Sequence, residues 1–280
     1  MSAALHGLVL AGGHSTRMKR DKATLTYLGT PQLPKAYSML SGYVARCFVS
    51  VRPDQADDGV RNAFPQILDS VAVAGPLAGI MSAQSVEPAA AWMVLACDLP
   101  FLDDATLAHL VEHRDPARLA TAYRSTHNGL PEPLCAIYEP ASREVLQAYA
   151  GSGRTCPRKF LQTHDVALLE QPTPRALENV NSNEDYWAAR AGLLPENENK
   201  SVQVTIQYFA ILRDQAARSD EALRTDARTP RELYEQLQQR YGFTLPADML
   251  RVAVNTEFGD WAQPLADGDA VVFIPPVAGG

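Results

Sequence analysis

Residues 8–23 read LVLAGGHSTRMKRDKA, an apolar run that breaks into a glycine pair and then a small basic island. Leu8, Val9 and Leu10 are β-formers and suit a buried strand. Gly12 and Gly13 follow, where the backbone can take positive φ or approach a ligand closely. Arg17, Lys19, Arg20 and Lys22 then set a cluster of cations against a single acid, Asp21. A strand end that feeds a glycine turn and cations is how α/β proteins cradle phosphates, with backbone N–H groups near the ligand. A strand, a turn and a solvated basic loop is the alternative reading of these residues alone. The spacing excludes two common phosphate motifs. Lys22 lies between Asp21 and Ala23, unlike G-x-x-x-x-G-K-[ST], and the adjacent glycines do not fit G-x-G-x-x-G.

The segments that follow alternate in character. Leu5–Ala11, Cys47–Val51, Gln66–Leu68 and Ala91–Cys97 read as strands, and Pro34–Arg46, Asp54–Phe64 and Leu77–Ser85 as helices between them. This rhythm predicts a Rossmann-like, mostly parallel α/β sheet with helices on both faces. Ligands of such sheets bind beyond the carboxyl ends of the strands, where Leu10 to Lys22 and Asp98 would both lie. Gly192 to Ser201 (GLLPENENKS) is polar, carries Pro195 and lacks periodicity, as a linker does. The expected division is therefore a first, α/β domain over 1–191, a linker over 192–201 and a second domain over 202–280.

In that second domain Val202–Phe209 alternates as a strand, with Val202, Val204, Ile206 and Tyr208 on one face. Thr229-Pro230-Arg231-Glu232 supplies an N-cap, a first-turn proline and a capping-box glutamate. Strands follow at Arg251–Asn255 and Ala270–Ile274, which suggests a small α+β module of the β-grasp, ubiquitin-like kind. Composition fits two soluble domains: of 280 residues, 46% are hydrophobic and 20% charged. A net charge of −7 argues against a nucleic-acid partner, and no apolar stretch approaches the ~20 residues that span a bilayer. No signal-peptide pattern opens the chain, and Cys47, Cys97, Cys135 and Cys156 form no C-x-x-C pair, so a cytoplasmic protein is expected.

Several residues carry candidate chemistry. Asp98, in Ala96-Cys97-Asp98-Leu99-Pro100, stands where the strongest central strand leaves the sheet. Mg²⁺ takes oxygen ligands and often needs only one or two carboxylates beside phosphate oxygens. Asp98 is thus a metal candidate, while Asp103 better fits the cap of the helix that follows. Asp69 is a second acid at a strand end, and Gly75-Pro76-Leu77-Ala78-Gly79 has the look of a helix start with proline in the first turn. Asn179-Val180-Asn181-Ser182 can close a turn and cap a helix over Glu184–Arg190.

These motifs resemble those of the MobA-type molybdenum cofactor guanylyltransferases, whose first loop is roughly LAGGxSxRMGxDK. Leu10 to Lys22 match it at nearly every fixed position, the one departure being Lys19 in place of a glycine. Cys97-Asp98-Leu99-Pro100 matches the family's C-D-x-P, and residues 75–79 match its GPLAG. The resemblance covers about residues 5–190. It implies GTP as substrate, Mg²⁺ held by Asp98, and catalytic roles for Arg17, Lys22 and Asp98. Nucleotide binding would fall to Leu10, Ala11, Gly12, Gly13, Lys22, Asp69, Gly75, Pro76, Leu77 and Asp98. The Asn179 and Asn181 pair, with Arg154, would lie on the pterin side. The implied reaction transfers GMP from GTP to the molybdopterin cofactor and releases pyrophosphate. A CTP- or sugar-phosphate-specific transferase, or an impaired nucleotide-binding domain, stays open as the alternative.

The chain ends Pro275-Pro276-Val277-Ala278-Gly279-Gly280. A β-grasp pattern with such an end closely resembles the MoaD sulfur carrier of molybdopterin synthase. A glycine tail can thread a tunnel that any Cβ would block. The resemblance implies a Gly280 thiocarboxylate, an ATP-dependent adenylyltransferase that activates it, and the large catalytic subunit of molybdopterin synthase as partner.

Overall fold

Strand β1 (Leu5–Leu10) lies in parallel between β4 (Cys47–Val51) and β6 (Ala91–Ala96), and the rest of the first unit is arranged about it. In the computed structural model the chain divides into two compact units, Met1–Asn181 and Ser182–Gly280. The structure describes residues 3–12, 21–27, 30–180, 182–193 and 201–276, with backbone alone for residues 22, 183, 184, 187, 190 and 191. Gly13, Arg17, Lys19, Asn181 and Gly280 lie outside the described residues, as do the Lys22 side chain and most of the expected linker.

The first unit holds a seven-stranded sheet in the order β5-β4-β1-β6-β8-β7-β9, where β5 is Gln66–Leu68, β7 Ala120–Arg124, β8 Pro131–Tyr138 and β9 Ala167–Leu169. Strand β8 alone runs against its neighbours β6 and β7. Two short strands, β2 (Thr26–Tyr27) and β3 (Thr30–Pro31), pair with each other apart from this sheet. The chain leaves β1 toward β4 and β5, then crosses back to β6 on the other side. That reversal makes the carboxyl end of β1 a topological switch point.

Alternate side chains explain why the sheet is covered on both faces. Val9, Val49 and Leu95 pack with Leu33 and Leu40 of α1 (Gln32–Ser41) and with Leu107 and Leu110 of α3 (Asp104–Glu112). Leu8, Trp92 and Val94 pack on the opposite face against α2 (Pro76–Val86), α4 (Ser142–Gly151) and α5 (Pro157–Thr163). Burial in the first of these layers pushes the Cys47 and Cys135 thiols up to about 12, so both are inert, protonated hydrophobes there.

The strands expected from the sequence appear with ends shifted by at most one residue, and Asp103 caps α3 by accepting the Thr106 N–H. Two helices differ. The first runs Gln32–Ser41 rather than Pro34–Arg46, because Gly42 turns its N–H back to Met39 and stops it. The helix expected over Asp54–Phe64 is absent: a single 3₁₀ turn at Pro53–Gln55 gives way to irregular turns. Asp58 takes the Val60 N–H on its own side chain at 3.2 Å, a local bond that competes with helix, and Arg61 is drawn wholly into the interior.

In the second unit, the helix expected at 184–190 is α6 (Asn183–Leu193). Ser182 opens it, its Oγ accepting the Asp185 N–H and its own N–H donating to the Asp185 carboxylate. A five-stranded sheet follows in the order β11-β10-β14-β12-β13. These strands are Asp220–Thr225, Val202–Tyr208, Ala270–Ile274, Arg251–Val254 and Glu257–Phe258 respectively. Only β10 and β14 are parallel, and α8 (Pro230–Tyr241) lays Leu233, Tyr234 and Leu237 on the face that carries Val204, Ile206, Val271 and Phe273. This is the β-grasp arrangement. Thr229 caps α8 as its spacing predicts, whereas α7 (Ala210–Ala216), in the β10–β11 connection, had no clear signal. Among the described residues no helix is long and apolar enough to cross a membrane.

Packing, more than capping, holds this unit. Leu237→Ala, at a fully buried position, is expected to cost about 2–5 kcal/mol. Thr229→Ala should cost about 1 kcal/mol. Urea unfolding of both variants checks the order, and a cap loss equal to the core loss would refute it.

Candidate functional site

The carboxyl ends of β1, β4, β5 and β6 open on one cavity of about 590 Å³. Leu10, Ala11 and Gly12 enter from β1, Ser50 and Arg52 from β4, Asp69 from β5, and Ala96, Cys97 and Asp98 from β6. Gly75, Pro76, Ala78 and Gly79 complete it from the start of α2. Position in the sheet accounts for this gathering: parallel strands all deliver their final residues to the same edge.

The glycine loop is held at both ends by one side chain. Arg61 is fully buried, and its Nε and Nη2 donate to the Ala11 carbonyl at 3.1 and 2.7 Å. The same guanidinium grips the Asp21 carboxylate in a bidentate fork, Nη1 and Nη2 donating at 2.7 and 2.8 Å, and Nη1 also pairs with Asp58. Burial pushes the Asp21 carboxyl up, but the Arg61 hydrogen bond, the Ala23 N–H and the charges of Arg61 and Arg52 outweigh it and hold the group below 3.8. Arg52 donates to the Gly12 carbonyl and pairs with Asp54 through Nε and Nη2, both at 2.9 Å.

Asp69 is treated differently by its surroundings. It accepts a 2.8 Å hydrogen bond from the Ser50 hydroxyl, and its backbone N–H donates to Val51. Burial raises its carboxyl above the ordinary 3.8, against the Ser50 bond and the Arg52 charge. Helix α2 starts at Gly75, whose φ of +75° suits glycine, with Pro76 next. Its N-terminal end, which carries a partial positive charge, borders the cavity. Gly79 lets the helix sit close: a Cβ there would fall on the Ser50 hydroxyl and 2.8 Å from Leu10 Cδ2. Asp98 lies two residues beyond the end of β6, and its carbonyl accepts the Val180 N–H at 3.2 Å, which brings Val180 beside it.

Of the residues expected from sequence, Leu10, Ala11, Gly12, Asp69, Gly75, Pro76 and Asp98 line this one cavity, and Asp21, which precedes Lys22, lines it too. Among the described ones, three do not line it. The Leu77 side chain is fully buried in the core beneath α2. Asn179 is exposed, and Arg154 is exposed with its guanidinium 5.8 Å from the centre of the Tyr149 ring. Sequence reasoning missed Ser50, Arg52 and Arg61. The first two could have been found as the last residues of a strand at the ligand edge. Arg61 pairs locally with Asp58, but nothing local signals its link to the site, since Asp21 and Ala11 lie 40 and 50 positions away.

Fold and cavity together define an α/β domain with a cavity at the switch point of its sheet, followed in the chain by a β-grasp module. Residues 7–168 match the family described as MobA-like NTP transferase domain, and residues 206–280 match the ThiS family. The chain belongs to the MobA-like NTP transferase family. It is 34% identical over 182 residues to the "Molybdenum cofactor biosynthesis bifunctional protein" of Synechocystis, a match that covers 65% of this chain and 52%, about half, of that protein. It is 31% identical to the "Probable molybdenum cofactor guanylyltransferase" of Nostoc, covering 65% of this chain and 88% of that one. In fold it is similar to molybdopterin-guanine dinucleotide biosynthesis protein A of Archaeoglobus fulgidus (TM-score 0.57, 21% identity, 66% of this chain and 97% of that one).

The raised Asp69 carboxyl has a consequence for stability. The folded chain holds the proton above 3.8, where the unfolded chain has released it, so stability falls as pH rises through that window and stays lower at neutral pH. Asp69→Asn is therefore expected to raise the urea midpoint of the nucleotide-free protein at pH 7. That gain should fade as the pH falls well below 3.8, where both states are protonated. An equal gain at both pH values would show that the charge is not responsible.

Proposed function

We propose that the first domain, residues 1–191, transfers GMP from GTP to the molybdopterin cofactor with release of pyrophosphate. The second domain, residues 202–280 beyond a linker at 192–201, would carry sulfur as a Gly280 thiocarboxylate in the cytoplasm. One observation carries the first half: residues from four separate motifs, 10–12, 69, 75–76 and 98, line a single cavity at the switch point of the sheet. The names of the two relatives supply the substrates of the proposal.

In this reading a terminal phosphate oxygen of the pterin attacks the α-phosphorus of GTP, and pyrophosphate leaves. No covalent nucleophile on the protein is needed, because positioning and charge neutralisation dominate such transfers. The Gly12 and Gly13 backbone and the start of α2 would cradle phosphate, with Lys22 and Arg17 offsetting the charge that grows there. The described cavity wall bears the carboxylates of Asp21, Asp69 and Asp98 against the Arg52 guanidinium, so a triphosphate needs further cations. Asp21 is bonded to Arg61 and Asp69 to Ser50, and Asp98 lines the cavity just beyond the end of β6. Among the described residues no cluster of three or more metal-ligating side chains exists, and Mg²⁺ on a nucleotide requires none. Mg²⁺ held by Asp98 would supply charge neutralisation at the α-phosphate. We assign Asn179 and Asn181 to the pterin side, since Val180 between them is bonded to Asp98, with Arg154 as a more distant phosphate contact.

For the carrier half, the Gly280 carboxylate is ionised at neutral pH and is a poor electrophile, given a reference value of ~3.3–3.7. An ATP-dependent adenylyltransferase would convert it to an acyl adenylate with release of pyrophosphate, and a sulfide-level sulfur nucleophile would then displace AMP to leave the thiocarboxylate. The thiocarboxylate would then be delivered to the large catalytic subunit of molybdopterin synthase. The ThiS match and the β-grasp sheet support this half.

Asp98→Asn is expected to abolish GMP transfer with the melting temperature unchanged; near-normal Mg²⁺-dependent dinucleotide formation would refute the role, and equal turnover with CTP would refute the choice of base. For the tail, intact-mass analysis of protein from cells should show one oxygen replaced by sulfur at the C-terminus. One residue added after Gly280 should prevent that shift, and an extended chain that still gains sulfur would sink the carrier reading.

A further inference from the structure

We infer that Arg61 is a positioning residue for the nucleotide loop, acting through the two ends of residues 12–20 rather than on the nucleotide itself. The inference rests on the nucleotide reading above and goes beyond it, since Arg61 lies outside every motif that reading uses. A fully buried guanidinium without partners would cost several kcal/mol. Here its five N–H donors meet five acceptor contacts: two on the Ala11 carbonyl, two on the Asp21 carboxylate and one on Asp58. Ala11 and Asp21 bracket the loop, so a single planar group fixes the distance between its ends before any ligand arrives. Gly12 follows the first anchor and the Lys22 backbone follows the second. The backbone positions of Gly12 and Lys22, from which the cradle and its ammonium start, are thereby set before nucleotide binds.

The competing account is that Arg61 only fastens the irregular turn at 53–64 to the sheet. The two accounts weigh the carboxylates differently. Asp58 lies three positions from Arg61 within that same turn, whereas Asp21 belongs to the loop and lines the cavity. If the turn is what matters, Asp58 should count at least as much as Asp21. If the loop ends matter, Asp21 alone should count. Lysine cannot replace the arginine, because it keeps the charge but offers three donors and no planar fork.

The test uses the full-length chain, GTP with Mg²⁺ in the absence of pterin, and two readouts: Kd by calorimetry, and amide hydrogen exchange of the peptide spanning residues 11–22. Asp21→Asn and Arg61→Lys are each expected to weaken GTP binding about tenfold and to speed exchange in that peptide. The double variant should bind no more weakly than either single one, because both remove the same link. Asp58→Asn should change Kd by less than about twofold. Unchanged exchange in Asp21→Asn, additive losses in the double variant, or an equal loss in Asp58→Asn would each overturn the inference. A wild-type chain that binds no GTP, while exchange responds to Asp21→Asn as expected, would overturn the nucleotide reading and leave the clasp between the loop ends standing.

Discussion

Burial of β1 on four sides is the constraint from which the first unit follows. Its backbone is paired along both edges, with β4 and with β6, and Leu8 and Val9 on its two faces are fully buried. A strand so enclosed has only its ends open to solvent. Ligands of a parallel sheet bind beyond the carboxyl ends of its strands, which is where Ala11 and Gly12 emerge. The Ala11 N–H still donates to the Ser50 carbonyl of β4, but the carbonyls of Ala11 and Gly12 turn away from the sheet's own bonding. They are met by side chains from elsewhere: Arg61 on the Ala11 carbonyl, Arg52 on that of Gly12. The site is thus the place where regular hydrogen bonding runs out and specific side chains take over.

The sequence was informative where structure is local. Strands such as Cys47–Val51 and Ala270–Ile274 were legible because β-branched and apolar runs bounded by turn residues carry their own signal. The α8 start was legible because capping chemistry acts within four residues. The 54–64 segment misled for a complementary reason. Its apolar spacing through Val60 and Phe64 imitates a helix, and both do pack on the core. Yet the fold of that stretch is decided by Asp58 and by a guanidinium whose anchors lie far off in sequence.

The candidate site divides along the same line. Motif residues that project from strand ends fell into place together, since a parallel sheet needs only the strand assignment to predict which edge they share. Leu77 lies inside the matched GPLAG segment and packs into the core beneath α2, away from the strand tips. Ser50, which binds Asp69, sits in a strand that reads as wholly apolar core, and its hydroxyl acquires meaning only once β5 lies alongside β4.

Gly79 couples two properties that most proteins can adjust separately. Because its missing Cβ is what lets α2 rest against Leu10 and Ser50, any side chain introduced there would lift the helix from the sheet and carry the helix terminus away from the pocket. Sequence drift at this position is therefore penalised twice by one displacement. A descendant of this chain could not trade firmness of the scaffold for a different ligand through residue 79, and would have to explore new chemistry at the strand tips, where one residue can change without moving the backbone beneath it.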